Sequence, residues 1–167
     1  MIKPSFPRLY SFQQQGVDWL LSKPRGILAD DMGLGKTVQV VSALRVLFNN
    51  GTMSRGIVFC PKSLLETWEA HIAEWAPELV YTRLDSPTSQ RDNAWSIALK
   101  RTHLALANYE QLTNMPEVLS KTHIDIVVAD EAHRIRNLSA QISQSIRELN
   151  THAFWAVTGT PVERDKE

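Results

Sequence analysis

The chain has 167 residues, 43% of them hydrophobic, with 18 basic and 18 acidic side chains. That length suits one domain with a real core, and the zero net charge gives no overall push toward nucleic acid, leaving only a local basic patch for that purpose. A lone cysteine, Cys60, rules out an internal disulfide. No stretch approaches the roughly 20 apolar residues that span a bilayer, and the N-terminus lacks the apolar core of a signal peptide. The expectation is an intracellular protein without membrane contact.

Residues 1–10 read as an extended lead-in. Ser11 with Gln14 three residues on fits a helix start, with Val17, Leu20 and Leu21 inward, Trp19 packing, and Pro24 ending the helix. Residues 26–29 read as a short buried strand. An amphipathic helix follows, with Val40, Val41, Leu44, Leu47 and Phe48 on one face, and Asn49-Asn50-Gly51 closes it.

Between that strand and helix stands Gly33-Leu34-Gly35-Lys36-Thr37. Strand, glycine turn and helix N-terminus together make a phosphate cradle, because the first-turn N–H groups and the helix dipole face the anion. Lys36 is placed to reach the β and γ phosphates of ATP, and the Thr37 hydroxyl to sit on Mg²⁺. The phosphate-loop pattern is imperfect. Asp30 stands where its first glycine is expected.

Gly56–Cys60 is a second strand, broken by Pro61. Ser63 with Glu66 fits a helix cap, and Leu64, Trp68, Ile72 and Trp75 fall at helical spacing as a core stripe. Residues 79–84 read as a strand, 88–100 as a weakly patterned helix, 103–107 as a strand, and 108–119 as a turn and short helix broken at Pro116. Ile124–Ala129, Ile-Asp-Ile-Val-Val-Ala, has the pattern of a central parallel strand. Residues 138–149 read as a helix with Ile142, Ile146 and Leu149 inward, and 153–157 as a last strand. Alternating strands and helices predict an α/β fold with a mostly parallel sheet and helices on both faces.

Asp130-Glu131-Ala132-His133 leaves the end of the Ile124–Ala129 strand. Ligands of parallel sheets bind beyond the carboxyl ends of strands, so these acids and the glycine loop can share one crevice. Asp130 fits the role of holding Mg²⁺, and Glu131 that of polarising the attacking water. His133 fits a polar link from the nucleotide site to a neighbouring segment.

These strings together resemble a wider family. Asp-Glu-Ala-His behind a Val-Val-Ala strand, with Gly-Leu-Gly-Lys-Thr upstream, looks like a superfamily-two helicase-type ATPase. Leu28-Ala29-Asp30-Asp31-Met32-Gly33-Leu34-Gly35-Lys36-Thr37 resembles motif I of the Swi/Snf-type DNA translocases, where an acid commonly stands at the position of Asp30. Asp130 to Asn137 resembles motif II, Pro61 to Leu65 with Trp68-Glu69 motif Ia, Asn108-Tyr109-Glu110 motif Ib, Val157-Thr158-Gly159-Thr160-Pro161 motif III, and Phe12 to Leu20 the Q motif. The resemblance runs over nearly the whole chain and implies a RecA-like P-loop lobe.

It also implies roles. Gln13 would read the adenine edge. Asp31, Met32, Gly33, Leu34, Gly35, Lys36 and Thr37 would hold ATP–Mg²⁺. Thr158 and Thr160 would couple the nucleotide state to the nucleic-acid path, and Lys62, Ser63, Asn108 and Tyr109 would lie near the backbone of duplex DNA, with Ser63 also a good helix cap and simple packing the other reading of Tyr109. In this family the site closes against a second RecA-like lobe that supplies an arginine finger. Residues 1–167 hold room for the first lobe alone, so the expectation is weak ATP–Mg²⁺ binding with little hydrolysis. Another superfamily-two helicase, a restriction-type motor or a non-catalytic docking module are the competing readings. Trp68-Glu69 and Arg134-Ile135-Arg136-Asn137 favour the Swi/Snf type.

Overall fold

The computed structural model of the protein describes residues 8–29 and 35–159. Asp30, Asp31, Met32, Gly33, Leu34 and Thr160, to which the sequence assigns parts of the phosphate loop and of motif III, lie outside the described residues.

Among those described, six strands form one sheet: β1 Arg25–Leu28, β2 Gly56–Cys60, β3 Tyr81–Leu84, β4 Leu104–Asn108, β5 Ile124–Ala129 and β6 Thr151–Val157. Their spatial order is β1-β6-β5-β2-β4-β3 and every pairing is parallel. The expectation of a mostly parallel sheet is met in full. Parallel neighbours need crossovers, and α2 Lys36–Asn49, α3 Leu65–Trp75, α4 Arg91–Arg101, α5 Glu117–Lys121 and α6 Ala140–Glu148 supply them, while α1 Ser11–Ser22 precedes β1.

The two sheet faces carry separate cores. Alternation along β2 sends Val58 and Cys60 to the side packed by α1, α2 and α3, and Ile57 and Phe59 to the side packed by α4, α5 and α6. β5 is buried on both faces, with only Asp125 partly exposed, as its apolar run requires. Trp19 packs edge-on over Gly26, where a Cβ would lie 2.5 Å from its ring.

Helix starts differ from their sequence signals. α1 begins after Tyr10, and the Tyr10 amide donates to Gln13 Oε1 at 2.9 Å, so Gln13 does the work expected of Gln14. Ser63 caps nothing. It sits in a 3-10 turn, Lys62–Leu64, and Leu64 precedes the first turn of α3. The cap signature is offset because Pro61 enforces that turn before the helix can start. The buried stripe of α3 accordingly runs through Leu65, Trp68 and Ile72.

Candidate nucleotide site and its coupling residues

The strand order puts the ends of β1, β6 and β5 side by side, and three functional segments leave from them. β1 leads into the glycine loop, β5 into Asp130 and β6 into Thr158. The Thr158 amide donates to the Leu28 carbonyl at 3.1 Å, which fixes the β6 exit against the start of the loop.

Gly35 ends the loop in a left-handed conformation, φ 72°, and is the residue before α2. A Cβ there would meet Gln13 Nε2 at 2.5 Å. Glycine is thus required twice, by backbone angle and by the close approach of Gln13. Lys36 and Thr37 form the first turn of α2, whose N–H groups have no partners within the helix and suit an anion.

Lys36, Thr37, Asp130 and Glu131 line one cleft of about 350 Å³, with Trp68 and His71 of α3 on its wall. The two constellations predicted from sequence therefore meet. Asp130 is 7% exposed. Its Oδ2 accepts the indole N–H of Trp68 at 2.8 Å, and its Oδ1 accepts the amide of Glu131 at 2.8 Å. Burial raises its pKa above the ordinary carboxylate value. The Trp68 and Glu131 N–H groups oppose this, the Glu131 charge adds to it, and Lys36 opposes it.

Glu131 holds a left-handed backbone, φ 52° and ψ 42°, which an L residue adopts at a cost of roughly 1 kcal/mol. Neighbouring bonds hold that geometry. The Tyr109 hydroxyl donates to the Asp130 carbonyl at 2.6 Å, and the Asp130 amide donates to the Phe59 carbonyl at 2.8 Å.

His133 bridges outward. Its Nε2 lies 3.4 Å from Glu131 Oε2, and its Nδ1 lies 3.0 Å from Thr158 Oγ1. His133 thus stands within reach of both Glu131 and Thr158.

Other predicted residues fall elsewhere. Gln13 is buried against the loop with its Oε1 occupied by the Tyr10 amide, which leaves Nε2 as the group nearest the loop. Lys62 and Ser63 are exposed beyond β2. Asn108 and Tyr109 are not surface groups. Tyr109 is 2% exposed, stacks on Phe59 with ring centroids 6.1 Å apart, and gives its hydroxyl to Asp130. Of its two readings, nucleic-acid contact or packing, burial favours packing, and the hydroxyl bears on Asp130. Asn108 Nδ2 donates to Glu110 Oε2 at 2.7 Å, and its Oδ1 is buried without a partner among the described residues. An acceptor beside a carboxylate is poorly suited to a phosphate.

Trp68 makes a polar contact that periodicity hides. Its place in the α3 stripe reads as packing, and it does pack, at 1% exposed. A buried indole N–H still needs an acceptor, and here the acceptor is Asp130. Cys60 is inert. Burial, with the Asp130 charge adding, pushes its thiol up to about 12.

An all-parallel sheet with helices on both faces, a glycine loop after β1 and an acidic pair after β5 defines a RecA-like lobe of the P-loop class. The chain belongs to the SNF2-related domain family, whose model matches residues 12–167. It is 34% identical over 165 residues to the ISWI chromatin-remodeling complex ATPase ISW1 of Saccharomyces cerevisiae, covering 95% of this chain and 15% of that protein. It is 31% identical over 196 residues to the DNA excision repair protein CSB of Oryza sativa subsp. japonica, covering 95% of this chain and 16% of that one. Its fold matches the Sulfolobus solfataricus SWI2/SNF2 ATPase core in complex with dsDNA, with TM-score 0.84 and 27% identity over 99% of this chain and 35% of that one. The chain thus spans about one sixth of the length of these two relatives.

Proposed function

We propose that this chain is the ATP-binding lobe of a DNA-dependent ATPase motor, one that moves on duplex DNA and remodels protein–DNA contacts inside the cell. The observation that carries the reading is the single cleft shared by Lys36, Thr37, Asp130 and Glu131. The similarity to a chromatin-remodelling ATPase, an excision-repair protein and an ATPase core in complex with dsDNA supports the DNA part of it.

The residues fit a magnesium nucleotide. A triphosphate and two carboxylates in one cleft repel one another unless a cation stands between them. Asp130 is buried, and each of its oxygens accepts one N–H while a carboxylate offers about four acceptor sites. Asp130 and Thr37 would hold Mg²⁺, which supplies charge neutralisation on the phosphate oxygens. Lys36 and the first-turn amides of α2 would grip the phosphates, with Asp31, Met32, Gly33, Leu34 and Gly35 completing the loop. Gln13 would meet the adenine edge through Nε2. Glu131 would orient a water and take its proton as that water attacks.

His133 and Thr158, with Thr160 beyond, would pass the state of Glu131 to the nucleic-acid path. Lys62 and Ser63 remain the exposed groups beyond β2 for a DNA backbone. A second RecA-like lobe would supply an arginine finger, worth roughly 10³ to 10⁵ in rate. Residues 1–167 alone would bind ATP–Mg²⁺ weakly and turn it over slowly.

The test measures ATP hydrolysis with and without duplex DNA, for residues 1–167 and for a chain continuing through a second lobe. The expected result is DNA-stimulated turnover in the longer chain and almost none in the shorter. Rapid, DNA-stimulated turnover by residues 1–167 would remove the need for a second lobe. Turnover in the longer chain that ignores DNA would remove the motor.

A further inference from the structure

Asp130 is held by side chains from two other strand-end segments. α3 follows directly on the exposed 3-10 turn Lys62–Leu64, and one turn into it Trp68 gives its indole N–H to Asp130 Oδ2 at 2.8 Å. The segment beyond β4 opens with a 3-10 turn, Tyr109–Leu112, and Tyr109 gives its hydroxyl to the Asp130 carbonyl at 2.6 Å. The two bonds grip the residue at both ends, one on the carboxylate and one on the peptide that leads into the strained Glu131. All the groups are buried, so the bonds are neither exchanged with water nor easily bent.

We propose that Trp68 and Tyr109 are positioning residues for Asp130, and that they link it in both directions to the turns Lys62–Leu64 and Tyr109–Leu112. The inference rests on the reading of Asp130 as the acid that meets magnesium nucleotide. When Asp130 shifts toward a cation, the indole and the phenol must follow or lose a bond. Trp68 is one turn from the start of α3, so its displacement reaches Lys62 and Ser63 through rigid helix. Tyr109 stacks on Phe59 of β2, so its displacement is shared with the neighbouring strand. By reciprocity, a ligand seated on the exposed Lys62–Ser63 surface would alter the affinity of the cleft for magnesium nucleotide.

Binding and hydrogen exchange on residues 1–167 test this with MgADP and with ADP in EDTA as probes. In the parent, MgADP should slow amide exchange at the start of α2 and also in Lys62–Leu64 and Tyr109–Leu112. Trp68→Phe should lose roughly tenfold of the gain in ADP affinity that Mg²⁺ confers, read as the ratio of affinities with Mg²⁺ and in EDTA, as expected for a lost bond to a charged group. Its protection of Lys62–Leu64 should vanish while that of α2 persists. Tyr109→Phe, which removes one oxygen and keeps the ring, should lose protection of Tyr109–Leu112 and tests the link independently of Trp68 packing. Unchanged magnesium gain and unchanged remote protection in both variants would overturn the inference and leave the nucleotide reading intact. A parent chain that binds no MgADP, or a Lys36→Ala chain that binds it as well as the parent, would remove that reading and the inference with it.

Discussion

His133 Nδ1 lies 3.0 Å from Thr158 Oγ1, while the same ring places Nε2 at 3.4 Å from Glu131 Oε2. One imidazole therefore spans the motif II acid and the residue that leaves β6. Thr158 is 6% exposed, so its hydroxyl cannot trade this partner for solvent. Thr158→Val keeps the shape and removes the bond. It should cost about 1 kcal/mol of stability in denaturant titrations. Nucleotide affinity should stay within about twofold, while DNA stimulation of ATP hydrolysis falls in a chain that includes a second lobe. Full stimulation in that variant would remove the coupling role of the pair.

Gly35 carries a left-handed backbone against the Gln13 amide. Gly35→Ala should lose about 1–2 kcal/mol from backbone strain alone. MgADP affinity should fall with it, since the added methyl pushes Gln13 off the loop. Calorimetric melting and ADP titration of the variant read both effects.

The buried Asp130 carboxylate bears on stability. Its folded pKa is raised, chiefly by burial, so the fold binds this proton more tightly than the unfolded chain does. Stability from this group is present at low pH and is lost as pH rises through the folded pKa. At neutral pH the ionised carboxylate therefore weighs against folding. Ligand-free Asp130→Asn should melt at or above the parent, and MgADP should raise its melting temperature far less. A parent-like rise with MgADP would take Asp130 out of the metal site.

Asp125 behaves in the opposite sense. Burial alone would raise its pKa, but the amides of Ser54 and Arg55 and the Ser54 hydroxyl outweigh it, with His123 adding, and hold the carboxyl below its ordinary value. A depressed carboxylate stabilises the fold above its unfolded pKa, and that contribution is lost as pH falls through the folded value. Melting temperature should thus drop on acidification below about pH 4. Asp125→Asn should be less stable at neutral pH and show a shallower acid drop in the same melts.

Glu131→Gln, in a chain that includes a second lobe, should bind MgATP like the parent and abolish turnover. Retained turnover would pass the water-orienting role to another group.

The sheet was legible because β2 is a continuous apolar run, β5 is one broken only by Asp125, and the glycine and acidic segments punctuate their neighbours. Element type followed from those runs, and edges were less secure. β6 starts at Thr151 because Ile124 pairs with it in the sheet, a contact that local hydropathy cannot register. The nucleotide cleft was legible because a phosphate loop and a strand-end acidic pair have one way to meet in a parallel sheet. Trp68 and Tyr109 were hidden for opposite reasons. Trp68 obeys the helical stripe, and its N–H partner is 62 residues away. Tyr109 sits in a polar string, Asn-Tyr-Glu, that leaves packing and nucleic-acid contact both open, and its ring faces Phe59 inside the core. Hydrophobic period reports which face is buried and is silent about what a buried N–H or O–H touches.

On the proposed reading, the cleft lined by Lys36, Thr37, Asp130 and Glu131 holds one magnesium nucleotide. Equilibrium titration of residues 1–167 and of Lys36→Ala with MgATP tests it most directly. The parent should bind with an affinity that rises when Mg²⁺ is added, and Lys36→Ala should bind at least roughly tenfold more weakly, as for a lost bond to a charged group. Equal binding by the two, or binding indifferent to Mg²⁺, would contradict it.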